Sequence, residues 1–309
     1  MAAAVETRNN MSAIITLTTD FGLSDAYVAA MKGVILSINP KIKLIDICHT
    51  IKPQNISQAA FVLGTTYQLF PDRTIHVVVV DPGVGTERRA IILRTPSADF
   101  VTPDNGVLSY VLQQYKSVKG RLKGQSPFKN YSSPSPLKER ETKGVRLINN
   151  QQQVELEPGI EAVTITKPQF WHSPVSPTFH GRDIFAPVAA RLALGFPPID
   201  FGEIITSVTM LALPHPYQAP DGSLVGHILH IDNFGNLITN IKSDDLPQTK
   251  RAITIEVGNQ LIPGLSRTYA EGKGLLALIG SSGYLEISLK GGSACALLNA
   301  EVSNKVKIR

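Results

Sequence analysis

The 309-residue chain has only two cysteines, Cys48 and Cys295, far apart and each within an apolar run. Neither a disulfide framework nor a cysteine metal cluster can be built from them, which fits a reducing compartment. An HExxH pair and a spaced His/Cys set are also missing, which argues against a zinc site. No window reaches the roughly 18–20 uninterrupted apolar residues of a spanning helix. Met1 to Ser12 carries Glu6 and Arg8 but no apolar signal core. The expectation is a cytoplasmic protein without a membrane partner, with Met1 to Ser12 as a frayed leader and Met11 as an alternative start.

The net charge of +5 is localised. Nine Lys/Arg and two acids fall between Lys116 and Asn150, leaving 21 bases against 23 acids elsewhere. The basic character therefore belongs to one stretch rich in Ser, Pro, Gly and Asn, without apolar periodicity. It reads as a solvated insertion, and no nucleic-acid partner is expected. The rest, with 43% hydrophobic and 18% charged residues overall, has a globular composition long enough for two domains.

Ala13 to Thr18 reads as a strand, and Tyr27 to Ile38 has helical spacing with Val28, Met31, Val34 and Ile35 on one side. The alternation continues with a strand at Ile42 to Ile47, a helix at Ile56 to Leu69 and a doubly buried strand at Thr74 to Val80. Strands at Ala90 to Arg94 and Phe100 to Thr102 and a helix at Val107 to Tyr115 come next. A strand at Ala162 to Thr166 and a helix at Asp183 to Leu194, closed by Gly195, complete this half. From Gly222 short β-rich runs follow with no 10–15-residue helical pattern between them, beyond a proline-bearing linker, Pro214 to Asp221. The predicted fold class is α/β: an N-terminal α/β domain over 13–215, its mostly parallel sheet flanked by helices and its basic insertion at about 116–160. A small C-terminal β-barrel domain is expected over 222–309.

In open α/β sheets ligands gather at the C-terminal ends of strands, which singles out four turns: Asp20 to Asp25, Asp81 to Arg89, Asp104 to Gly106, and Thr178 to Asp183. Helix capping is the competing explanation for acids at such places. Asp81-Pro82-Gly83-Val84-Gly85-Thr86-Glu87-Arg88 lacks the Gly-Lys-Ser/Thr of a phosphate loop, and no GxGxxG is present. Its two glycines allow a tight turn that returns Arg88 toward Asp81, either as a site pair or as a structural ion pair. His180, just before a helix, has the most site-like context of the seven histidines, whereas His76 lies within a strand. Asp20-Phe21-Gly22 matches the kinase DFG triplet without its companion loops, so that match is accidental. In the β-rich half, Asp232-Asn233-Phe234-Gly235-Asn236 places amides and a phenyl ring on a turn. Such groups suit a purine, and equally a plain hairpin.

Taken together these turns resemble the S-adenosyl-L-methionine (SAM) hydroxide adenosyltransferase family, relatives of the fluorinating and chlorinating SAM enzymes. The matching segments are TDFGLSDAYVAAMKGVI, DPGVGTERR, TPDNGVLS, PTFHGRDIFAP, DNFGNLITNI and GSSGYLEI, in order from Thr19 to Ile287. The resemblance implies an N-terminal α/β domain and a C-terminal β-barrel assembled as a homotrimer, with active sites between one subunit's N-terminal domain and the next subunit's C-terminal domain. It implies a catalytic triad of Asp81, Arg88 and His180 that handles water. Asp20 then holds the ribose hydroxyls, Asp25 and Asp232 contact the methionine moiety, Asn236 contacts adenine and Phe179 neighbours the ribose. Ser281, in the last motif, joins the substrate-binding set.

The halogenating branch has Tyr and Thr where this chain has Asp81 and Val84, and Tyr-Ser where it has His180-Gly181. Two positions depart from the family pattern: Gln54, often aromatic in the halogenases, and Lys290, in place of a late Asn. The implied reaction is attack of water or hydroxide on C5′ of SAM, giving adenosine and L-methionine, with no metal and no cofactor beyond the substrate. The alternatives are a halide adenosyltransferase and a non-catalytic adenosine- or SAM-binding module.

Overall fold

The computed structural model describes residues 13–120, 151–247 and 253–309; the expected leader and the basic stretch at 121–150 lie outside the described residues. The chain divides after Ala212 into two compact units.

The first unit contains, in chain order, β1 (Ile14–Thr19), α1 (Tyr27–Ile38), β2 (Lys43–Cys48), α2 (Ile56–Thr66), β3 (Thr74–Val79), β4 (Ala90–Arg94), β5 (Ala98–Pro103) and α3 (Ser109–Gly120). After these come β6 (Gln151–Glu155), β7 (Glu161–Thr164), α4 (Ala186–Ala193), β8 (Ile204–Ile205) and β9 (Ser207–Leu211). One sheet runs β2-β1-β3-β5-β4-β7-β8. β2, β1, β3 and β5 are parallel, because helical crossovers separate β1, β2 and β3 in sequence. β4 and β5 are joined by a short turn in which Thr95 bonds the Ala98 carbonyl, a connection that permits only an antiparallel pair. The sheet is thus mostly parallel and carries helices, as the alternating pattern requires.

Side-chain alternation sends Ile15, Leu17, Ile75, Val77 and Val79 to one face, where they pack with Met31 and Ile35 of α1 and with Val188 and Ala189 of α4. Thr16, His76 and Phe100 point the other way. There the His76 ring stacks on Phe100 with centroids 5.2 Å apart, and its Nδ1 lies 2.8 Å from the Thr16 hydroxyl. α2 and α3 meet so closely that a Cβ at Gly64 would sit 2.3 Å from Tyr110 Cβ.

Three differences from the sequence expectations have physical causes. The helix expected through Leu69 tightens after Thr66 into a 3₁₀ turn, a common helix ending. The helix expected from Asp183 opens with a π-helical turn, Gly181–Phe185, before α4. β6 and β9 form a separate two-stranded ribbon that apolar patterning does not announce, since β6 begins with three glutamines.

The second unit contains β10 (Tyr217–Gln218), β11 (Leu224–Ile231), β12 (Leu237–Lys242), β13 (Thr254–Val257), β14 (Gln260–Pro263), β15 (Leu275–Ile279), β16 (Tyr284–Leu289), α5 (Ala294–Leu298) and β17 (Lys305–Ile308). The order β14-β13-β17-β11-β12-β16-β15 is antiparallel throughout, and its end strands β14 and β15 lie side by side, so the sheet is a nearly closed barrel. Ile228, Leu237, Ile241, Ile255, Leu285, Ile287, Val306 and Ile308 fill it. β10 falls within the stretch expected to be a linker. No described helix is long and apolar enough to cross a membrane.

Candidate active site

β1 and β3 are neighbours with Thr19 opposite Val79, so the chain leaves both strands at the same sheet end, delivering Asp20 and, two residues past β3, Asp81. The turn after β3 is built from local bonds. The Val84 N–H donates to the Asp81 carbonyl at 3.2 Å, and the Thr86 N–H and hydroxyl both donate to the Gly83 carbonyl. The turn is tight at Gly83, where a Cβ would lie 3.1 Å from Arg88 Cγ. The result folds Arg88 back on Asp81: Nε donates to Oδ1 at 3.0 Å and to Oδ2 at 2.9 Å, and Nη2 also donates to Oδ2.

Gly85 joins this turn to a distant segment. It has φ +78°, and a Cβ would lie 2.7 Å from the Pro177 carbonyl oxygen. That close approach brings Arg88 to His180, whose Nδ1 is 2.9 Å from Nη2. A guanidinium can only donate, so Nδ1 accepts and the imidazole is neutral with its proton on Nε2. Burial, followed by the charge of Arg88, holds the His180 pKa below its ordinary value, against the opposing pull of Asp81 and Asp183. The Arg88 guanidinium also lies over the Phe185 ring at 5.3 Å. Arg88 is thus the shared member of a three-residue cluster, and its pair with Asp81 is almost wholly buried.

The segment carrying His180 is fixed by Asp183, whose fully buried carboxylate accepts the Ser176 N–H at 2.8 Å and a fork from Arg182. Burial alone would raise the Asp183 pKa; Arg182 and the Ser176 N–H outweigh it and hold the carboxyl low. Phe179, Phe21 and Tyr27 form an aromatic group with centroids 5.1–5.8 Å apart.

Asp20 accepts the Gln54 N–H at 2.7 Å. Burial raises its pKa most, that backbone bond works against it, and the nearby charge of Asp81 adds to the rise. Gln54 holds this position with φ 63°, left-handed for a residue with a side chain. Gln54 departs from the family pattern in its side chain, whereas its backbone does the holding; no sequence pattern announces that. Asp25 is exposed on the turn before α1.

The remaining predicted residues belong to the second unit. Asp232 organises its own turn, accepting the Phe234 and Asn236 N–H groups through Oδ1 at 2.9 and 2.8 Å and the Asn236 amide through Oδ2 at 2.8 Å. Ser281 lies exposed in the turn between β15 and β16. Among the described residues no group of three or more His, Cys, Asp or Glu is placed to hold a metal ion.

Asp104 and Asn105, also at a strand end, are committed elsewhere. Asp104 pairs with Arg89 and accepts the Thr209 N–H at 2.7 Å, and Asn105 donates to the Val80 carbonyl at 2.9 Å.

Comparison with known proteins supports the architecture along nearly the whole chain. The chain is 31% identical over 303 residues to an (R)-S-adenosyl-L-methionine hydrolase of Salinispora arenicola, covering 95% of this chain and 97% of the relative. A protein of the same name from Methanocaldococcus jannaschii is 32% identical, with 97% of each covered. A fluorinase of Nocardia brasiliensis is 28% identical, with 98% and 99% covered. The crystal structure of an uncharacterized conserved protein from Thermotoga maritima superposes with a TM-score of 0.76 at 31% identity, covering 95% of this chain and 99% of that one. The models for the SAM hydroxide adenosyltransferase N-terminal domain, over residues 15–135 and 145–202, and for its C-terminal domain, over 226–307, both match. With both domain models matched and the strand-end turns assembled as described, the chain belongs to the SAM hydroxide adenosyltransferase family.

Proposed function

We propose that the protein is a SAM hydrolase: water, as hydroxide, attacks C5′ of SAM, the C5′–S bond breaks with its electron pair going to sulfur, and adenosine, L-methionine and a proton result. The observation that carries this reading is Arg88 shared between a buried carboxylate and a neutral imidazole, a cluster suited to a small protic nucleophile. The relatives named as hydrolases at about this length support it.

The leaving group is a neutral thioether, so no general acid is needed. The protein's task is to place the nucleophile in line with the C–S bond and to make its proton easy to lose, and placement alone is worth up to roughly 7–11 kcal/mol. In the proposed roles, Arg88 favours hydroxide through its fixed charge, and Asp81 receives the proton on a lone pair not used by Arg88. With Nδ1 accepting from Arg88, His180 offers its Nε2–H to the nucleophile oxygen as a donor and does not act as the base. Halide has no proton to give Asp81 and so meets the intact carboxylate, where two unit charges at 4 Å repel by about 4 kcal/mol at an effective dielectric constant of 20; water relieves that repulsion by passing its proton to the carboxylate.

Asp20 is assigned to the ribose hydroxyls, Phe179 to the ribose face, Asp25 and Asp232 to the methionine moiety and Asn236 to adenine, with Ser281 in the substrate-binding set. A cytoplasmic homotrimer acting without metal or cofactor is the accompanying proposal, tested by sedimentation and by turnover in chelator.

The decisive experiment is turnover in heavy-oxygen water. Label at adenosine O5′ is expected; unlabelled adenosine, or a 5′-chloro nucleoside in the presence of chloride, overturns the assignment.

A further inference from the structure

We infer that His49 is a positioning residue for Asp20, fixing through the Thr19 hydroxyl and its own carbonyl the turn that presents this carboxylate to the substrate ribose. The inference rests on the function proposed above and adds His49 and Asp46, which lie outside the motif segments.

The arrangement begins with a register defect. β1 and β2 pair Leu17 with Asp46 but Thr18 with Cys48, so β2 carries one extra residue at its end. Such a bulge re-aims the residues beyond it, and here it sets His49, only 4% exposed, beside Thr19. His49 Nδ1 is 2.9 Å from the Thr19 hydroxyl, and that same oxygen accepts the Phe21 N–H at 3.3 Å. The Gly22 N–H donates to the His49 carbonyl at 2.8 Å. The residues on both sides of Asp20 are thereby tied to one imidazole-bearing residue, while the Gln54 N–H holds the carboxylate itself.

Behind His49, Nε2 lies 3.0 Å from Asp46 Oδ1, and Asp46 Oδ2 receives the Lys32 ammonium at 2.6 Å. A Thr19 hydroxyl donating to Nδ1 leaves the imidazole proton on Nε2, near the carboxylate but without an aligned hydrogen bond to it. An aliphatic side chain would fill this space without the desolvation cost of an imidazole; what the imidazole adds is the direction of the turn. The carboxylate–imidazole–hydroxyl order is that of a nucleophile relay. Thr19, however, is fully buried with its oxygen engaged by Phe21, so it has no face for substrate.

The test is a double-mutant cycle on Thr19 and Asp20, read by calorimetric binding of adenosine and by steady-state kinetics with SAM. Thr19→Val removes the hydroxyl and keeps the branched shape; Thr19→Ser restores it. The expected result for Thr19→Val is adenosine affinity and KM for SAM worse by about tenfold, kcat within about threefold, and recovery in Thr19→Ser. In an Asp20→Ala background Thr19→Val should add nothing. His49→Asn, which keeps an acceptor near Nδ1, should retain more adenosine affinity than His49→Gln. A folded Thr19→Val protein that binds adenosine like the wild type, or a full Thr19→Val effect persisting in Asp20→Ala, overturns the inference. A wild type that neither binds adenosine nor consumes SAM overturns the function itself and the inference with it.

Discussion

Arg88 and Arg89 are adjacent, and each forks onto a buried aspartate that follows a strand, yet the two pairs have different consequences. Arg88 and Asp81 are both nearly buried, and the remaining reach of the guanidinium goes to His180, 92 residues away in sequence. Arg89 is a third exposed, and beyond Asp104 it bonds the Ser207 carbonyl and Gln153, while Asp104 takes the Thr209 N–H. The first pair ends on a group able to meet a ligand. The second ends on the backbone of β9 and the side chain of β6 and straps that ribbon to the sheet. An ion pair at a strand end is therefore no sign of a site by itself; where its third partner lies decides.

The largest effect is expected at the Asp81–Arg88–His180 cluster. Asp81→Ala or His180→Ala should lower kcat at least ~10²-fold, about 3 kcal/mol or more of barrier, with adenosine binding retained. Full activity in both variants would put the Asp81–Arg88 pair in the same structural class as its neighbour. Asp104→Ala should do the reverse. It leaves the buried Thr209 N–H without its acceptor and Arg89 without its partner, for a loss of about 2–3 kcal/mol in denaturant unfolding, discounted for the exposure of Arg89. kcat should stay within about twofold.

The histidines sharpen the same contrast. His180 faces a cationic partner, whereas His76 sits in an aromatic cage of Phe100, Tyr67 and Phe70, where burial pushes its pKa down to about 4. Above about pH 6.5 His76 is neutral in both the folded and the unfolded chain. Below it the unfolded chain takes up a proton that the folded one refuses, so stability falls as pH falls toward 4. At pH 5 the loss is about 2 kcal/mol. Replacing His76 with Phe should flatten the curve of unfolding free energy against pH over that window without changing the pH dependence of kcat. An unchanged stability curve would show that His76 is not held neutral.

How much the sequence shows on its own depends on distance along the chain. The Asp81–Arg88 pair spans one glycine-bearing turn, so residue types and spacing suffice to suggest it. His180 joins it only through the ordered motifs, because nothing local relates Thr178 to Asp183 with the turn after β3. Asp104 and Asp81 are indistinguishable as strand-end acids until β9, hidden behind a glutamine-rich partner strand, supplies the N–H that occupies one of them. Asp232 and Asn236 show the same limit. Their side chains bond each other within the turn, an arrangement that composition does not announce.

Gly85 carries the smallest expected effect and tests why the two arginine pairs diverge. Its φ of +78° disfavours any side chain, and the Pro177 carbonyl oxygen lies 2.7 Å from where a Cβ would sit. Gly85→Ala should therefore cost about 1–2 kcal/mol in stability, from left-handed backbone strain and displacement of the Pro177 segment. That segment leads to His180, whereas the bonds of Arg89 run to Asp104, Gln153 and the Ser207 carbonyl, so the strain should fall on one pair alone. kcat should drop roughly fivefold, the sensitivity expected when a positioned group moves by a fraction of an ångström. The Arg89–Asp104 strap should still protect the Thr209 amide from hydrogen exchange as in the wild type. Loss of stability with kcat unchanged would mean that the Gly85–Pro177 contact serves packing only, and that His180 reaches Arg88 by other constraints.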